Sequence, residues 1–330
     1  MKNPNSPLVT GLVGLFLAAS VSSAKLVIPT VTVADPGNAQ DDTGLGRVDY
    51  TYEISTHEVT NAQYAAFLNA VAVQSDPYGV YNANMEINQG AEYSVKSGYA
   101  DKPVRHVSFW SAARFANWLT NDQPTGSQGS GTTETGMYNL GGVANPDNSS
   151  VSRQLKFADG DRGVAITSVD EWYKAAYYDP TLNDGSGGYY DYPTQSNTEP
   201  TAEAPPGGPN SANFFGGPGE PTEVGAYPDS PSFYGTFDQG GNLDEWNDGV
   251  VDPGLRGLRG GTFKTIGDYL KSEFNPTFGT APSNQYADTG FRVTSLTAIP
   301  EPSSYGIIFG LVGLAFALSR RRRRSGWPSR

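Results

Sequence analysis

The acidic segment of residues 237–248, FDQGGNLDEWND, has the residue types and spacing that come closest to a functional site. It places three Asp and one Glu around a Gly-Gly pair. Calcium ions take about six to eight oxygen ligands from carboxylates, amides and carbonyls, and a glycine-rich turn lets a chain supply carbonyls. Three interpretations are open from the residues alone: a metal-binding loop, a catalytic carboxylate cluster, or an acidic turn capped by its own backbone.

For the other residues that could take part in catalysis or binding, we expect structural roles. His57 and His106 could be bases or metal ligands, but they each precede a predicted helix and lack the spacing His-x-x-x-His. Arg256, Arg259 and Arg292 could bind an acidic ligand, yet in Arg-Gly-Gly and Gly-Phe-Arg contexts we expect buried salt-bridge partners. The sequence has no Gly-x-Ser-x-Gly elbow and no phosphate loop ending in Gly-Lys-Ser/Thr.

Composition excludes several classes of function. The chain has no cysteine, which rules out disulfides, thiol catalysis and thiolate metal sites. Seven of its 22 basic residues, Lys2 and six arginines from Arg320 onward, lie in the terminal segments, so residues 25–319 carry 34 acids against 15 bases, a net charge of −19. Such a body repels phosphate backbones, and we predict no nucleic-acid partner.

Both ends of the chain have targeting patterns. Residues 1–24 combine a basic start, the apolar run LVTGLVGLFLAA and small residues before Ala24, which predicts a signal peptide cleaved after Ala24. Near the C-terminus, Pro300-Glu301-Pro302 precedes an apolar stretch at residues 305–318 and then five consecutive arginines. The apolar stretch is shorter than the roughly 20 residues of a comfortable transmembrane helix, and the arginines favour the cytoplasmic side.

This three-part order resembles the PEP-CTERM sorting signal of Gram-negative bacteria. The resemblance implies export, transient anchoring in the inner membrane by the C-terminal helix, and processing near the Pro-Glu-Pro by an exosortase-type protease. We therefore predict a protein at the cell surface or secreted, with membrane contact only through residues 299–324.

Three helices and two strands must position the candidate residues. Alternating apolar residues predict strands at 26–33 and 48–54. Capping boxes starting at Thr60 and Ser168 predict two helices, and the apolar stripe in SAARFANWL predicts a third between them. The tryptophans on these helices and in the acidic segment are expected in the core, namely Trp110, Trp118, Trp172 and Trp246. Long polar loops, 122–163 and 179–225, separate the elements.

The order of the sequence blocks carries a second resemblance. The blocks are HEVTNAQYAAFLNAV, KPVRHVSFWSAARFANWL, ITSVDEWYKAA, GTFDQGGNLDEW, LRGGTF and TGFRV. Together they resemble the formylglycine-generating enzyme, or sulfatase-modifying factor, family over residues 45–295. The resemblance implies an α+β, C-type-lectin-like fold that is rich in loops. It gives three domains: a signal peptide at 1–24, the family domain at 25–298 and the sorting signal at 299–324.

The prototype enzymes of that family oxidise a sulfatase cysteine to formylglycine with copper held by two cysteines. Those cysteines fall here at about Thr265 and Leu270, after the Arg-Gly-Gly-Thr motif. Neither side chain offers the soft thiolate that copper(I) prefers. We therefore predict no copper site and no catalytic residue, although an oxidase of altered chemistry is kept as the alternative.

The resemblance also implies calcium. Family members bind it at positions matching the side chain of Asp238, the carbonyls of Gly241 and Leu243, and the carboxylate of Glu245. A second family site would use Asn213 and the carbonyl of Phe214, but its other ligands fall where the chain is short. The resulting hypothesis is an exported, calcium-stabilised, lectin-like scaffold that contacts extracellular polysaccharide or an envelope protein.

Overall fold

The computed structural model describes residues 25–157, 160–274 and 278–296. The helices are α1 Asn61–Val71, α2 Phe109–Thr120 and α3 Val169–Tyr177, with 3-10 helices at Asn148–Ser150 and Gly267–Leu270, and Leu182–Gly185 forms a turn in which Asn183 and Asp184 have positive φ. The strands are β1 Thr30–Val33, β2 Tyr52–Ser55, β3 Ile87–Gln89, β4 Tyr93–Val95, β5 Val164–Ile166, β6 Tyr178–Asp179, β7 Gly188–Tyr189, β8 Thr201–Ala202, β9 Ser211–Ala212, β10 Asp244–Asp252, β11 Leu255–Arg259, β12 Gly279–Thr280, β13 Thr289–Gly290 and β14 Val293–Ser295. The predicted mixed α+β class is confirmed.

The predicted signal peptide and the sorting signal from residue 299 lie outside the described residues. Within the described ranges, no helix is both long and apolar enough to cross a membrane.

The three predicted helices are present with the predicted buried faces. The Thr60 hydroxyl accepts a hydrogen bond from the Gln63 backbone, and the Gln63 side chain accepts one from the Thr60 N–H. Ser168 and Glu171 make the same reciprocal bonds at the start of α3. Helix α2 begins with Ser108 as its N-cap. These caps satisfy N–H groups that have no partner inside a helix.

Two four-stranded sheets form the framework. One has the order β1-β2-β14-β5 with antiparallel pairing, and the other has the order β12-β11-β10-β13, in which β10 and β13 run parallel. The first strand begins at Thr30 rather than at residue 26, because Pro29 has no N–H to donate to a ladder. The second begins at Tyr52, because Val48 bonds instead to Asn38 and Gly37.

The main core lies where α1 and α2 meet the first sheet. Tyr64, Phe67, Phe115 and Phe291 are fully buried and their rings contact one another. The four tryptophans predicted to face inward are all buried, at 3% exposure or less. These buried tryptophans anchor the acidic segment, residues 237–248, against the core.

Candidate functional site

The acidic segment divides into a tight turn and the start of a central strand. Residues 237–243 form the turn, and β10 then runs between β11 and β13. In this ladder Glu245 lies opposite Arg259 on β11 and Gly290 on β13. The segment was not predicted as a strand, because its acidic residues disfavour one in isolation.

Glu245 forms a fully buried ion pair with Arg292. Arg292 Nε donates to Glu245 Oε2 at 2.6 Å and its Nη2 donates to Oε1 at 2.7 Å, with both side chains at 0% exposure. The indole N–H of Trp172 also donates to Oε2, at 2.7 Å. Both carboxylate oxygens are therefore bonded, in the two-pronged geometry that makes guanidinium–carboxylate pairs strong.

Two more acids surround this pair, and with it they form what we name the buried cluster: Glu58, Asp238, Glu245 and Arg292. Burial, and secondarily Asp238, raises the pKa of Glu58 well above its usual range. Burial likewise raises the pKa of Asp238 to about 6, although the hydrogen bond that Asp238 accepts from Gly225 N at 2.6 Å acts to lower it. Glu58 accepts one bond from Asn242, while its Oε2 is buried without a partner.

The turn depends on glycine at position 241. Gly241 has a φ of +86°, and a Cβ there would lie 2.2 Å from the backbone oxygen of Asn213. Asn242 N donates to that same oxygen at 2.7 Å. The two segments that were predicted to bind separate calcium ions are therefore in direct contact.

The first predicted calcium set fits poorly at its carboxylate. A cation on Glu245 would displace hydrogen bonds from Arg292 or Trp172 and would lie beside a guanidinium charge, which opposes binding. Asp238 already accepts from a backbone N–H. Among the described residues, no three acidic or histidine side chains converge as a metal site. Calcium at Asp238, Gly241, Leu243 and Glu245 therefore stays a prediction.

The second predicted set contains one suitable atom. Asn213 is buried, and its Oδ1 has no hydrogen-bond partner. The Phe214 carbonyl accepts from Gly217 N at 2.9 Å, and its second lone pair is the only further ligand predicted from sequence. One free oxygen is less than a calcium site requires, so this site too stays a prediction.

The Arg-Gly-Gly-Thr turn lies directly against the acidic segment. Gly261 N donates to Asp244 Oδ1 at 3.0 Å. Thr265 binds within its own turn: its hydroxyl accepts from Thr262 N at 2.8 Å and donates to Thr262 O at 3.1 Å. Leu270 is fully buried with Tyr192 and other apolar side chains. A bonded hydroxyl and a buried hydrocarbon thus occupy the two positions at which the family resemblance would place the copper cysteines.

The histidines have packing roles in this structure. The His57 ring stacks on Phe237, with ring centres 5.4 Å apart, and burial followed by the charge of Arg292 lowers its pKa to about 4. His106 has a positive φ of 60°, and its Nδ1 lies 3.3 Å from the Gln285 carbonyl. Burial also lowers the pKa of His106. Both imidazoles are therefore neutral at neutral pH.

The prediction of a buried salt bridge is correct for Arg292, whereas Arg259 is buried as predicted but, like Arg256, has no carboxylate partner among the described residues. Arg256 donates to Asn148 and to backbone carbonyls, and its guanidinium lies over the Phe109 ring. Arg259 donates to the Phe274 carbonyl and lies over the Tyr173 ring. Both arginines lie on β11 beside the acidic strand β10, but their guanidinium groups donate to main-chain carbonyls rather than to its carboxylates.

Of the two other acids in the segment, Asp244 is buried and Asp248 is partly buried. Burial, and secondarily Asp288, raises the pKa of Asp244 to about 8. Asp248 pairs with Arg153, which also binds both carboxylate oxygens of Glu171. Arg153 was missed from the sequence because it lies in the long loop 122–163, where no local pattern indicates its partners.

Comparisons with known proteins agree with this architecture. The structure is similar to Treponema denticola variable protein 1, with 18% identity, a TM-score of 0.50, and coverage of 81% of this chain and 95% of that one. It is also similar to CarF, with 19% identity, a TM-score of 0.54, and coverage of 83% and 100%. These similarities confirm the predicted C-type-lectin-like fold.

The sequence is also similar to a known protein and matches two family models. The serine/threonine-protein kinase pkn1 of Chlamydia caviae is 22% identical over 247 residues, which are 67% of this chain and 29% of the kinase, so this chain spans less than a third of that relative. A family model described as the sulfatase-modifying factor enzyme 1-like domain matches residues 33–296, and one for the PEP-CTERM protein-sorting motif matches residues 298–324. Both resemblances seen in the sequence are thereby confirmed.

Proposed function

The chain belongs to the family of sulfatase-modifying factor enzyme 1-like domains, and we propose that it works as a non-catalytic scaffold or binding module outside the cell. Its PEP-CTERM motif marks it as an exported protein handled by an exosortase. The proposed partners are extracellular polysaccharide or an envelope protein. Its net negative charge argues against nucleic acid as a ligand.

The non-catalytic proposal rests on the side chains and surroundings of Thr265 and Leu270. Copper(I) oxidase chemistry in this family needs soft ligands, and thiolates are the side chains that supply them. Here the Thr265 hydroxyl is bonded to its own turn and Leu270 is sealed in an apolar cluster. The neutral ring of His57 stacks on Phe237, and that of His106 lies against the Gln285 carbonyl.

We expect no aldehyde when the purified protein is incubated with copper and a peptide containing Cys-x-Pro-x-Arg. The measurement is mass spectrometry of the peptide, which loses its thiol when cysteine becomes formylglycine. A parallel reaction with a copper-binding family member that retains both cysteines is the positive control. Turnover by this protein above the level of a heat-denatured sample would overturn the non-catalytic proposal.

The proposed maturation has its own test. Because the five arginines and the apolar stretch follow Pro300-Glu301-Pro302, we expect the released protein to end close to Pro302 and to begin at Lys25. Intact-mass spectrometry of protein from the culture medium gives both termini. Detection of the arginine run in the released form would contradict the proposed processing, and an exosortase-deficient strain serves as the control.

A further inference from the structure

A polar trough runs along the C-terminal half of α1, on a part of the molecule that does not include the buried cluster. Its first cavity has a volume of about 420 Å³ and its second about 290 Å³, and the two share Asn69, Ala70 and Thr125. The loop containing Ala91 and Glu92 lines the first cavity, and the N-terminal residues Lys25 and Leu26 line the second. Cavities of this size hold small ligands or short stretches of a polymer.

Hydrogen bonds fix the trough in shape. Gly126 N donates to the Ala70 carbonyl at 2.9 Å, which ties the loop 125–127 to α1. The Asn69 side chain makes two bonds to the backbone of Tyr93, at 2.7 and 2.8 Å, and so holds the opposite wall. Gln123 binds the backbone of Leu26 in the same two-bond manner. A preformed site loses little conformational entropy on binding.

The rim carries hydrogen-bonding side chains that the protein does not use. Gln74, Ser75, Thr125 and Ser127 are exposed and line the first cavity. Among the described residues, none of these four side chains has a hydrogen-bond partner. Together they offer three hydroxyls and one amide as donors and acceptors to a ligand.

Charge around the trough points to an uncharged ligand. The ammonium of Lys25, at the second cavity, pairs with Asp122, and both side chains are exposed to solvent that screens their charges. Cleavage after Ala24 would also place the α-amino group of Lys25 at the second cavity, whereas the first cavity has Glu92 as its charged side chain and therefore repels anionic ligands. Within a strongly acidic chain, this low density of charge suits a neutral ligand that is rich in hydroxyl groups.

We propose that the polar trough binds a segment of neutral polysaccharide through Gln74, Ser75, Thr125 and Ser127. This assignment rests on the proposed function of an exported binding module and gives that module a site. The small apolar side chains between the polar groups, such as Ala70, Val73 and Ala91, provide contact surface for the C–H faces of sugar rings.

The test is affinity electrophoresis of the mature protein through native gels that contain a neutral β-glucan, a neutral galactomannan or the anionic polysaccharide alginate. We expect retardation by at least one neutral polysaccharide and none by alginate. The variant Gln74→Ala/Ser75→Ala/Ser127→Ala should bind at least tenfold more weakly, because each lost neutral hydrogen bond weakens binding by about two- to tenfold.

A matched control keeps the result specific. Thr51→Ala/Ser283→Ala removes two exposed hydroxyls that lie outside the trough and have no hydrogen-bond partner within the described part of the chain, and it should bind like the unaltered protein. Equal thermal melting of both variants shows that they are folded. Unchanged binding of the triple variant, or no retardation by either neutral polysaccharide, would overturn the trough assignment. Neither result affects the aldehyde assay, which tests the non-catalytic proposal separately.

Discussion

Replacing Glu245 by Gln is expected to lower the free energy of unfolding by about 3–5 kcal/mol, because the change leaves Arg292 charged and without its buried partner. The glutamine has nearly the same shape, so packing against Trp172 is preserved. Its amide group, however, directs N–H donors at a guanidinium that has only donors itself. Because the shape of the side chain is preserved, the expected destabilisation comes mainly from the loss of the negative charge opposite Arg292.

Calcium separates two interpretations of this residue. If Glu245 acts through Arg292, as the 2.6 and 2.7 Å contacts indicate, the melting temperature should fall equally in calcium and in chelator. If Glu245 is a calcium ligand, as the family resemblance implies, the fall should be larger in calcium. The measurement is thermal unfolding of both proteins in the two buffers.

The matched control for this experiment is Glu223→Gln, which changes an exposed carboxylate that makes no ion pair with any residue the structure describes. It should change the free energy of unfolding by less than about 0.5 kcal/mol. A Glu245→Gln variant as stable as this control would show that the ion pair with Arg292 contributes little. A calcium-dependent difference would instead restore the metal-site interpretation of the acidic segment.

Replacing Arg153 by Met is expected to have an effect of similar size, about 3–5 kcal/mol. Arg153 bonds Glu171 at 2.7 and 2.9 Å and the Ile166 carbonyl at 2.6 Å, and it also pairs with Asp248. Its removal leaves two carboxylates of low exposure facing each other. Denaturant unfolding measures the loss, which should change little with salt because buried pairs are weakly screened.

The exposed pair of Arg47 and Asp49 provides the control. Both side chains are more than half exposed, so Arg47→Met should cost less than about 1 kcal/mol, and that cost should shrink in high salt. If Arg153→Met is no more destabilising than Arg47→Met, the prediction is wrong. The ion network of Arg153, Glu171 and Asp248 would then not be the contact that holds the loop 122–163 against α3 and β10.

Local signals in the sequence were sufficient for the helices and for the choice of family. The capping boxes at Thr60 and Ser168 lie within four consecutive residues each, and the apolar faces repeat with the helical period, so no distant contact was needed to predict them. The six ordered blocks were likewise readable from the chain alone. The strand limits were less accurate, since Pro29 and the partners of Val48 decide where pairing begins.

The sequence by itself determined that thiolate ligands are absent from this chain, because it contains no cysteine. It also showed that residues 237–248 form a distinctive acidic segment. Only the tertiary structure decided what each acid does: Glu245 meets Arg292 across 47 positions of sequence, and Asp248 meets Arg153 across 95. The reason is physical, since burial and the partner charge of a carboxylate are set by distant segments that fold against it.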